Sequence, residues 1–154
     1  MDAALNYGLK VDNLYKSYLL GERRIPILQG LDVSVARGEL LVIMGPSGSG
    51  KTTLLNCVSG IDVPDRGQVY IGDRQVDLNS VQERTLLRRY QVGIVFQFFN
   101  LIPTLTVKEN IGLPFVIAQR GGGDRDARVE SILDSVGLGH REAHYPHQLS
   151  GGEM

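Results

Sequence analysis

The stretch that most constrains this chain is GPSGSGKTT, which runs from Gly45 to Thr53. It follows LLVIM, which is apolar at every position and therefore predicts a strand buried on both faces. It precedes TTLLNCVSG, where apolar residues recur at helical spacing and Gly60 is the predicted C-terminal stop. The alternative is an ordinary glycine-rich turn, which could have a similar sequence. The pattern G-x-x-x-x-G-K-T between a strand and a helix is nevertheless typical of a phosphate-binding loop, or P-loop.

Each residue type in this P-loop has a chemical role. Glycines let the backbone curl so that its N–H groups converge on an anion, and the following helix directs its dipole at the same point. Lys51 can reach the terminal phosphates of a nucleotide, and the Thr52 hydroxyl is placed to hold Mg2+. The predicted nucleotide-binding residues are Gly45, Pro46, Ser47, Gly48, Ser49, Gly50, Lys51, Thr52 and Thr53.

The composition limits what else the chain can bind. Its 154 residues are 42% hydrophobic, and 16 basic residues against 17 acidic ones leave a net charge of -1. This balance provides no general attraction to nucleic acid, so we predict no nucleic-acid partner and expect any anion to be bound locally. Cys57 is the only cysteine, which excludes an internal disulfide. Its position on the predicted helix favours a small core residue.

The segments around the P-loop predict strands and a short helix. LKVDNLYKSYL, RIPILQGLDVSVARG and ELLVIMG are short, apolar and separated by turns, which indicates strands, and PDRGQVYIGDRQV predicts a hairpin. Ser80 and Glu83 have capping-box spacing, so a helix is expected over SVQERTLLRRY, followed by the strand VGIVF.

The last third of the chain is predicted to be helical throughout. TVKENIGLPFVIAQ and DARVESILDSVGL carry helical patterns, and the second places four apolar residues on one face: Val129, Ile132, Leu133 and Val136. We therefore predict an α/β fold with a nucleotide-binding core over residues 1–97 and a helical subdomain over residues 98–154.

The later motifs resemble one family. VGIVFQFFNLIPTLTVKENI, followed further along by PHQLSGGE, resembles the ATPase subunits of ATP-binding cassette (ABC) transporters, most closely the branch that serves lipoprotein release and macrolide export. The resemblance covers nearly the whole chain. It implies a P-loop NTPase core with an N-terminal antiparallel β subdomain and a helical subdomain, and it implies ATP and Mg2+ as cofactors. It also implies that LLVIM and VGIVF are parallel strands of one sheet.

The resemblance adds two residues to the site. Tyr18 lies where the family has an aromatic ring that stacks on adenine. The alternative for Tyr18 is an aromatic side chain of a strand that packs in the core. Tyr15 lies close by in the sequence and is the other candidate for the stacking ring. Gln97 lies where the family has a glutamine that joins the Mg2+ ligands and couples the site to the helical subdomain, which gives Lys51 and Gln97 the catalytic roles. The alternative for Gln97 is a buried side chain that satisfies loop backbone.

The chain closes on the signature L-S-G-G, with Ser150, Gly151 and Gly152 as predicted nucleotide contacts. Ser150 and Glu153 have capping-box spacing, so a helix N-terminus is expected there, and such an end attracts anions. In the family, that anion is the γ-phosphate held by the P-loop of a second subunit. The resemblance therefore implies a head-to-tail homodimer or pseudo-dimer.

Beyond the signature, the family has an aspartate, a catalytic glutamate and a histidine that cannot be placed in this sequence, so we expect the C-terminal part of the core to be missing. The 154-residue chain is therefore predicted to bind nucleotide without hydrolysing it, and its apolar sheet surface or strand edges are expected to be unpaired. One hypothesis is a transport ATPase at the cytoplasmic face of the membrane, held there by membrane-spanning subunits that recognise the substrate. The alternative is a catalytically inactive nucleotide-binding fragment or scaffold.

Overall fold

The computed structural model describes residues 7–118 and 124–154. The chain forms two compact units, Met1–Ile94 and Val95–Met154. The functional division predicted at residue 97 stays a prediction.

The first unit contains a four-stranded antiparallel sheet. Its strands are β1 (Tyr7–Leu20), β2 (Arg23–Ala36), β3 (Arg66–Ile71) and β4 (Arg74–Val76), in the order β2-β1-β3-β4. The turn at Gly21 and Glu22 connects β1 to β2, whose ladder runs from Tyr7 opposite Ala36 to Leu20 opposite Arg23. The predicted antiparallel start and the predicted hairpin are both confirmed.

Two helices of this unit begin and end where the sequence predicted. Helix α1 (Lys51–Val58) follows the P-loop, and Gly60 lies just beyond its C-cap with φ 69°, a left-handed conformation that glycine adopts without strain. Helix α2 (Val81–Tyr90) begins after Ser80, whose side chain accepts a hydrogen bond from the Glu83 amide.

The core of the first unit lies between the sheet and these helices. Val11, Leu14 and Val69 of the sheet are at most 1% exposed. They belong to one buried cluster with Leu54 and Cys57 of α1. Cys57 is a buried core residue, as predicted, and burial raises the pKa of its thiol to about 11. The thiol is therefore protonated and inert at neutral pH.

Two predicted strands are wrong. Neither Leu40–Met44 nor Val92–Phe96 is a strand, and all ladders among residues 7–118 and 124–154 are antiparallel, so the expected parallel pairing does not occur there. Leu40–Met44 was predicted to be buried on both faces, but each of its side chains is exposed. An apolar run becomes a strand only where another strand completes its hydrogen bonds. The exposed segment Leu40–Met44 confirms the expectation that apolar surface of the nucleotide-binding core is left uncovered.

The described part of the second unit is helical, as predicted. Helix α3 (Val107–Ile117) begins with a complete capping box between Thr106 and Glu109, and helix α4 (Asp124–Ser135) packs against it. Two 3-10 helices follow, Gly139–Arg141 and Pro146–Gln148. No helix of the described residues has both the length and the apolar character needed to cross a bilayer.

The core of the second unit corrects one detail of the predicted helical face. Val107, Val129 and Leu133 form its buried centre. Val136 was predicted on the same face as Val129 and Leu133, but it is exposed because α4 ends at Ser135.

Candidate nucleotide-binding site

The P-loop leads into α1 at a position that favours glycine. Gly50 is the N-cap of α1 and has φ 91°, in the left-handed region. A Cβ placed there would lie 3.0 Å from Ile27 Cγ2 and 3.3 Å from Leu28 Cδ2, both on β2. The backbone conformation and the close approach of β2 therefore both disfavour a side chain here, and the loop lies against the sheet.

The helix that follows the loop has an uncompensated N-terminus. Among the described residues, no side chain caps α1, and its first turn contains no acidic residue. The first amides of a helix have no partner within the helix, and its dipole places partial positive charge at that end. This end of α1 is therefore suited to an anion, and the donor set fits the phosphates of a nucleotide.

The Lys51 side chain folds back over the same loop. Its ammonium donates hydrogen bonds to the carbonyl oxygens of Gly45 (2.9 Å) and Pro46 (2.8 Å) and to Ser49 Oγ (3.3 Å). Thr52 follows it in the first turn and is exposed, so its hydroxyl is accessible to a cation from solvent. The P-loop thus brings a lysine ammonium and a threonine hydroxyl to the helix end that favours an anion.

A cavity of about 420 Å³ lies between the P-loop and β2. Its lining includes Gly45, Ser49 and Lys51, but most of it is apolar, with Ile27, Leu31, Ile43, Met44 and Leu54 among the lining side chains. Apolar walls do not compensate a triphosphate for its lost hydration. The apolar part of this cavity therefore suits phosphates less well than the N-terminus of α1, whose Gly50 and Lys51 also line it.

Tyr18 lies on β1 and its hydroxyl reaches the region of α1. It donates a hydrogen bond to Asp62 Oδ2 (2.7 Å) and interacts with the Thr53 side chain in the P-loop motif. Burial and the hydrogen bond to Asp62 raise the pKa of Tyr18. The side chain remains 41% exposed, which contradicts the alternative of an aromatic packed in the core. Tyr15, the neighbouring aromatic, instead has the Arg66 guanidinium 5.6 Å from its ring centroid.

The signature residues begin a single helical turn at the end of the chain. The Glu153 amide donates to the Ser150 carbonyl (3.0 Å), and the Glu153 carboxylate accepts bonds from the Ser150 amide (2.8 Å) and hydroxyl (2.7 Å). Arg141 Nε donates to the other carboxylate oxygen (2.9 Å). Gly151 and Gly152 are exposed. Of the two bonds of the predicted capping box, these contacts supply the one from the Ser150 amide to the Glu153 carboxylate.

Gln97 belongs to the second unit and is exposed, so the alternative of a buried glutamine does not hold. The P-loop residues and Tyr18 all belong to the first unit. The structure therefore brings Tyr18 and the P-loop together through Thr53, while the assignments of Gln97 and of Ser150 to Gly152 stay predictions.

Comparison with known proteins identifies the family. A family model described as ABC transporter matches residues 28–154. The chain belongs to the ABC transporter family. It is 41% identical over 145 residues to the lipoprotein-releasing system ATP-binding protein LolD of Xanthomonas campestris, which covers 94% of this chain and 61% of LolD. It is also 41% identical over 146 residues to the macrolide export ATP-binding/permease protein MacB of Marinobacter nauticus, covering 95% of this chain and 23% of MacB. These two relatives confirm the predicted branch of ABC proteins.

A solved ABC structure confirms the predicted fold class. The dimeric structure of a post-hydrolysis state of the ATP-binding cassette MJ0796, bound to ADP and Pi, superposes with a TM-score of 0.85 at 41% identity. The match covers 94% of this chain and 64% of that one. The chain thus spans less than two thirds of the length of this ABC cassette and of LolD.

Sequence reasoning did not identify the contacts that surround Tyr18. The Lys16 ammonium lies 5.0 Å from the Tyr18 ring centroid and donates to Asp62 Oδ1 (2.7 Å) and to the Val63 carbonyl (2.7 Å). The sequence did contain a signal for Lys16, since residues two apart on a strand, such as Lys16 and Tyr18, share a face. Asp62 had no such signal, because only the folded chain brings it beside β1.

Proposed function

We propose that this chain is the nucleotide-binding part of an ABC transporter ATPase subunit. In this proposal it binds Mg-ATP, and the complete protein hydrolyses ATP to drive transport through membrane-spanning partner subunits. The observation that carries the proposal is the uncapped N-terminus of α1, with Gly50 held against β2 and the Lys51 ammonium over the loop. Family membership supports the same conclusion.

The proposed roles follow the chemistry of each group. The P-loop amides and Lys51 bind the phosphates, and the exposed Thr52 hydroxyl together with Gln97 would hold Mg2+, an ion that prefers oxygen ligands. The metal would neutralise charge on the phosphates. The Tyr18 ring would stack on adenine. Stacking accepts any flat base, so this contact contributes affinity more than selectivity.

The signature residues would act across a dimer. The ABC cassette MJ0796 is described as dimeric with ADP and Pi bound. We propose that Ser150, Gly151 and Gly152 contact the γ-phosphate held by the P-loop of a second subunit, in a head-to-tail arrangement. The subunit would be peripheral, held at the cytoplasmic face of the membrane by its partners.

Replacing the P-loop lysine tests the binding step. We expect Lys51→Ala in the full-length protein to weaken Mg-ATP binding at least about tenfold, because it removes a charged donor to the phosphates. Lys10→Ala is the matched control, since Lys10 pairs with Asp12 on β1 (3.2 Å) and does not belong to the P-loop. Calorimetry that gave the same affinity for Lys51→Ala, Lys10→Ala and the unmodified protein would refute the assignment.

A phosphate-release assay tests the hydrolytic step separately. The 154-residue chain is predicted to release phosphate from Mg-ATP no faster than its own Lys51→Ala variant, because turnover needs a positioned water and a γ-phosphate held from both sides. Lys51-dependent turnover by this chain would mean that one of its own acidic residues or histidines acts as the base.

A further inference from the structure

Lys16 and Tyr18 form one side of a compact polar cluster beside α1. They are two residues apart on β1, so their side chains share a face of the strand. The Lys16 ammonium lies 5.0 Å from the Tyr18 ring centroid, within the range of a cation–π contact. One face of the Tyr18 ring is therefore occupied by a cation that its own strand supplies.

Asp62 connects these two side chains to the turn after α1. One carboxylate oxygen accepts the Lys16 ammonium (2.7 Å) and the Val63 amide (2.7 Å), and the other accepts the Tyr18 hydroxyl (2.7 Å). The Lys16 and Asp62 side chains are only 11% and 27% exposed, so solvent screens this pair less than a surface pair.

Both charges persist at neutral pH. Burial favours the neutral form of each group, but the interaction between them outweighs it: the pKa of Asp62 is lowered and the pKa of Lys16 is raised. Tyr18 therefore donates to a carboxylate that stays ionised, and the bond is of the stronger, charge-assisted kind.

The cluster also reaches the P-loop motif. Thr53, the last residue of that motif, interacts with the Tyr18 hydroxyl, and the Asp62 amide donates to the carbonyl of Asn56 on α1 (3.0 Å). The ring is thus held at its hydroxyl by the Asp62 carboxylate, whose own amide is bonded to α1, and on one face by Lys16. A ring held in place before binding loses less conformational entropy when a base stacks on it.

We propose that Lys16 and Asp62 are positioning residues that hold Tyr18 in the orientation in which it stacks on the base of the nucleotide. The inference rests on the proposed function, and it assigns to these two residues a role in base binding that is separate from phosphate binding. Both contact Tyr18, and neither belongs to the P-loop motif.

The test compares two ligands that share the phosphates and differ in the base. Binding of Mg-ATP and of Mg-tripolyphosphate is measured in the full-length protein for Lys16→Met, which keeps the aliphatic stem but removes the charge, and for Asp62→Asn. We expect each variant to weaken Mg-ATP binding about three- to fivefold, the cost of ordering one freed side chain on binding, and to leave tripolyphosphate binding within about twofold. Lys16→Arg restores the cation and is expected to restore ATP binding.

Lys10→Met is the matched control. Lys10 lies on the same strand, pairs with Asp12 (3.2 Å) and has its ammonium 5.4 Å from the Tyr70 ring centroid, so it has the same kinds of contact without touching Tyr18. Its loss is expected to change neither ligand's affinity. In a Tyr18→Ala background, Lys16→Met is expected to have no further effect, because its path to the base has been removed.

Three results would overturn the inference. Lys16→Met could weaken both ligands equally, which would indicate a general structural role. It could leave both affinities unchanged, or it could add its full effect to that of Tyr18→Ala. Failure of the proposed function itself is distinguishable, because Lys51→Ala would then leave the binding of both ligands intact. Thermal unfolding of every variant separates lost folding from lost positioning.

Discussion

The centre of the antiparallel sheet and the segment Leu40–Met44 are both apolar, yet the first is buried and the second is exposed. Leu14 of β1 is 0% exposed, whereas Leu40 is 87% exposed and Met44 is 86% exposed. Hydrophobicity therefore does not explain the difference. The segment LLVIM is, if anything, more continuously apolar than β1.

The two regions differ in whether the described residues supply a partner strand. The two-residue turn at Gly21 and Glu22 returns β2 to β1 immediately, so antiparallel pairing needs no long connection. A parallel neighbour for Leu40–Met44 would require a crossover of a dozen or more residues. Among the described residues no strand pairs with it. An apolar run thus indicates which residues favour burial, but only a partner strand determines that they become a sheet.

Replacing matched leucines should give the largest contrast between these regions. In the 154-residue chain, Leu14→Ala is expected to lower the free energy of unfolding by about 2–5 kcal/mol, because it leaves a cavity among fully buried neighbours. Leu40→Ala should change it by less than about 0.5 kcal/mol, since its side chain is exposed. Denaturant unfolding monitored by circular dichroism measures both values.

The same pair of variants also tests whether Leu40 is exposed in solution. If a longer chain covers Leu40–Met44, both Leu14→Ala and Leu40→Ala should lower the free energy of unfolding of that chain. Equal costs within the 154-residue chain itself would contradict the exposed position of Leu40. Amide hydrogen exchange gives an independent check, with residues 40–44 expected to exchange faster than the buried part of β1.

A smaller loss of stability is expected at the N-terminus of α3, where the sequence signal is a local capping box. Thr106→Ala removes the capping box of α3 and should cost about 0.5–2 kcal/mol of unfolding free energy. Thr104→Ala is the matched control, because Thr104 is exposed and lies outside the cap. A cost for Thr106→Ala no larger than that for Thr104→Ala would mean that packing of Val107, and not the cap, determines where α3 begins.

The parts of the fold that the sequence predicted correctly are those with local signals. Gly60 and Ser80 mark helix ends through backbone conformation or a hydrogen bond within a few residues, so their patterns are visible in a short window. The hairpin of β3 and β4 is equally local. The two wrong strands, Leu40–Met44 and Val92–Phe96, are apolar runs for which the described residues supply no partner strand.

The candidate site divides in the same way. The P-loop was predictable because its glycines, Lys51 and Thr52 are contiguous. The Lys16–Asp62 pair was not, because its members are 46 residues apart and only the turn after α1 brings them together. A contiguous motif therefore located the candidate phosphate site, while the residues that we propose to orient Tyr18 are brought together only by the fold.

The smallest predicted effect concerns the contacts of the signature. Hydrogen bonds from the Ser150 hydroxyl and amide, and then from Arg141, lower the pKa of Glu153 from its ordinary 4.5 to about 2. Because the folded-state pKa is depressed, any stabilisation from these contacts is present above the ordinary pKa and is lost as pH falls through about 2. We expect Ser150→Ala to raise this pKa the most and Arg141→Ala to raise it less, as measured by NMR titration of the Glu153 carboxyl carbon. Thr106→Ala should leave it unchanged, since Thr106 bonds to Glu109 instead. If Glu153 titrated with its ordinary pKa in the unmodified chain, the signature turn would not hold these contacts in solution. The capping box predicted from the spacing of Ser150 and Glu153 would then be wrong.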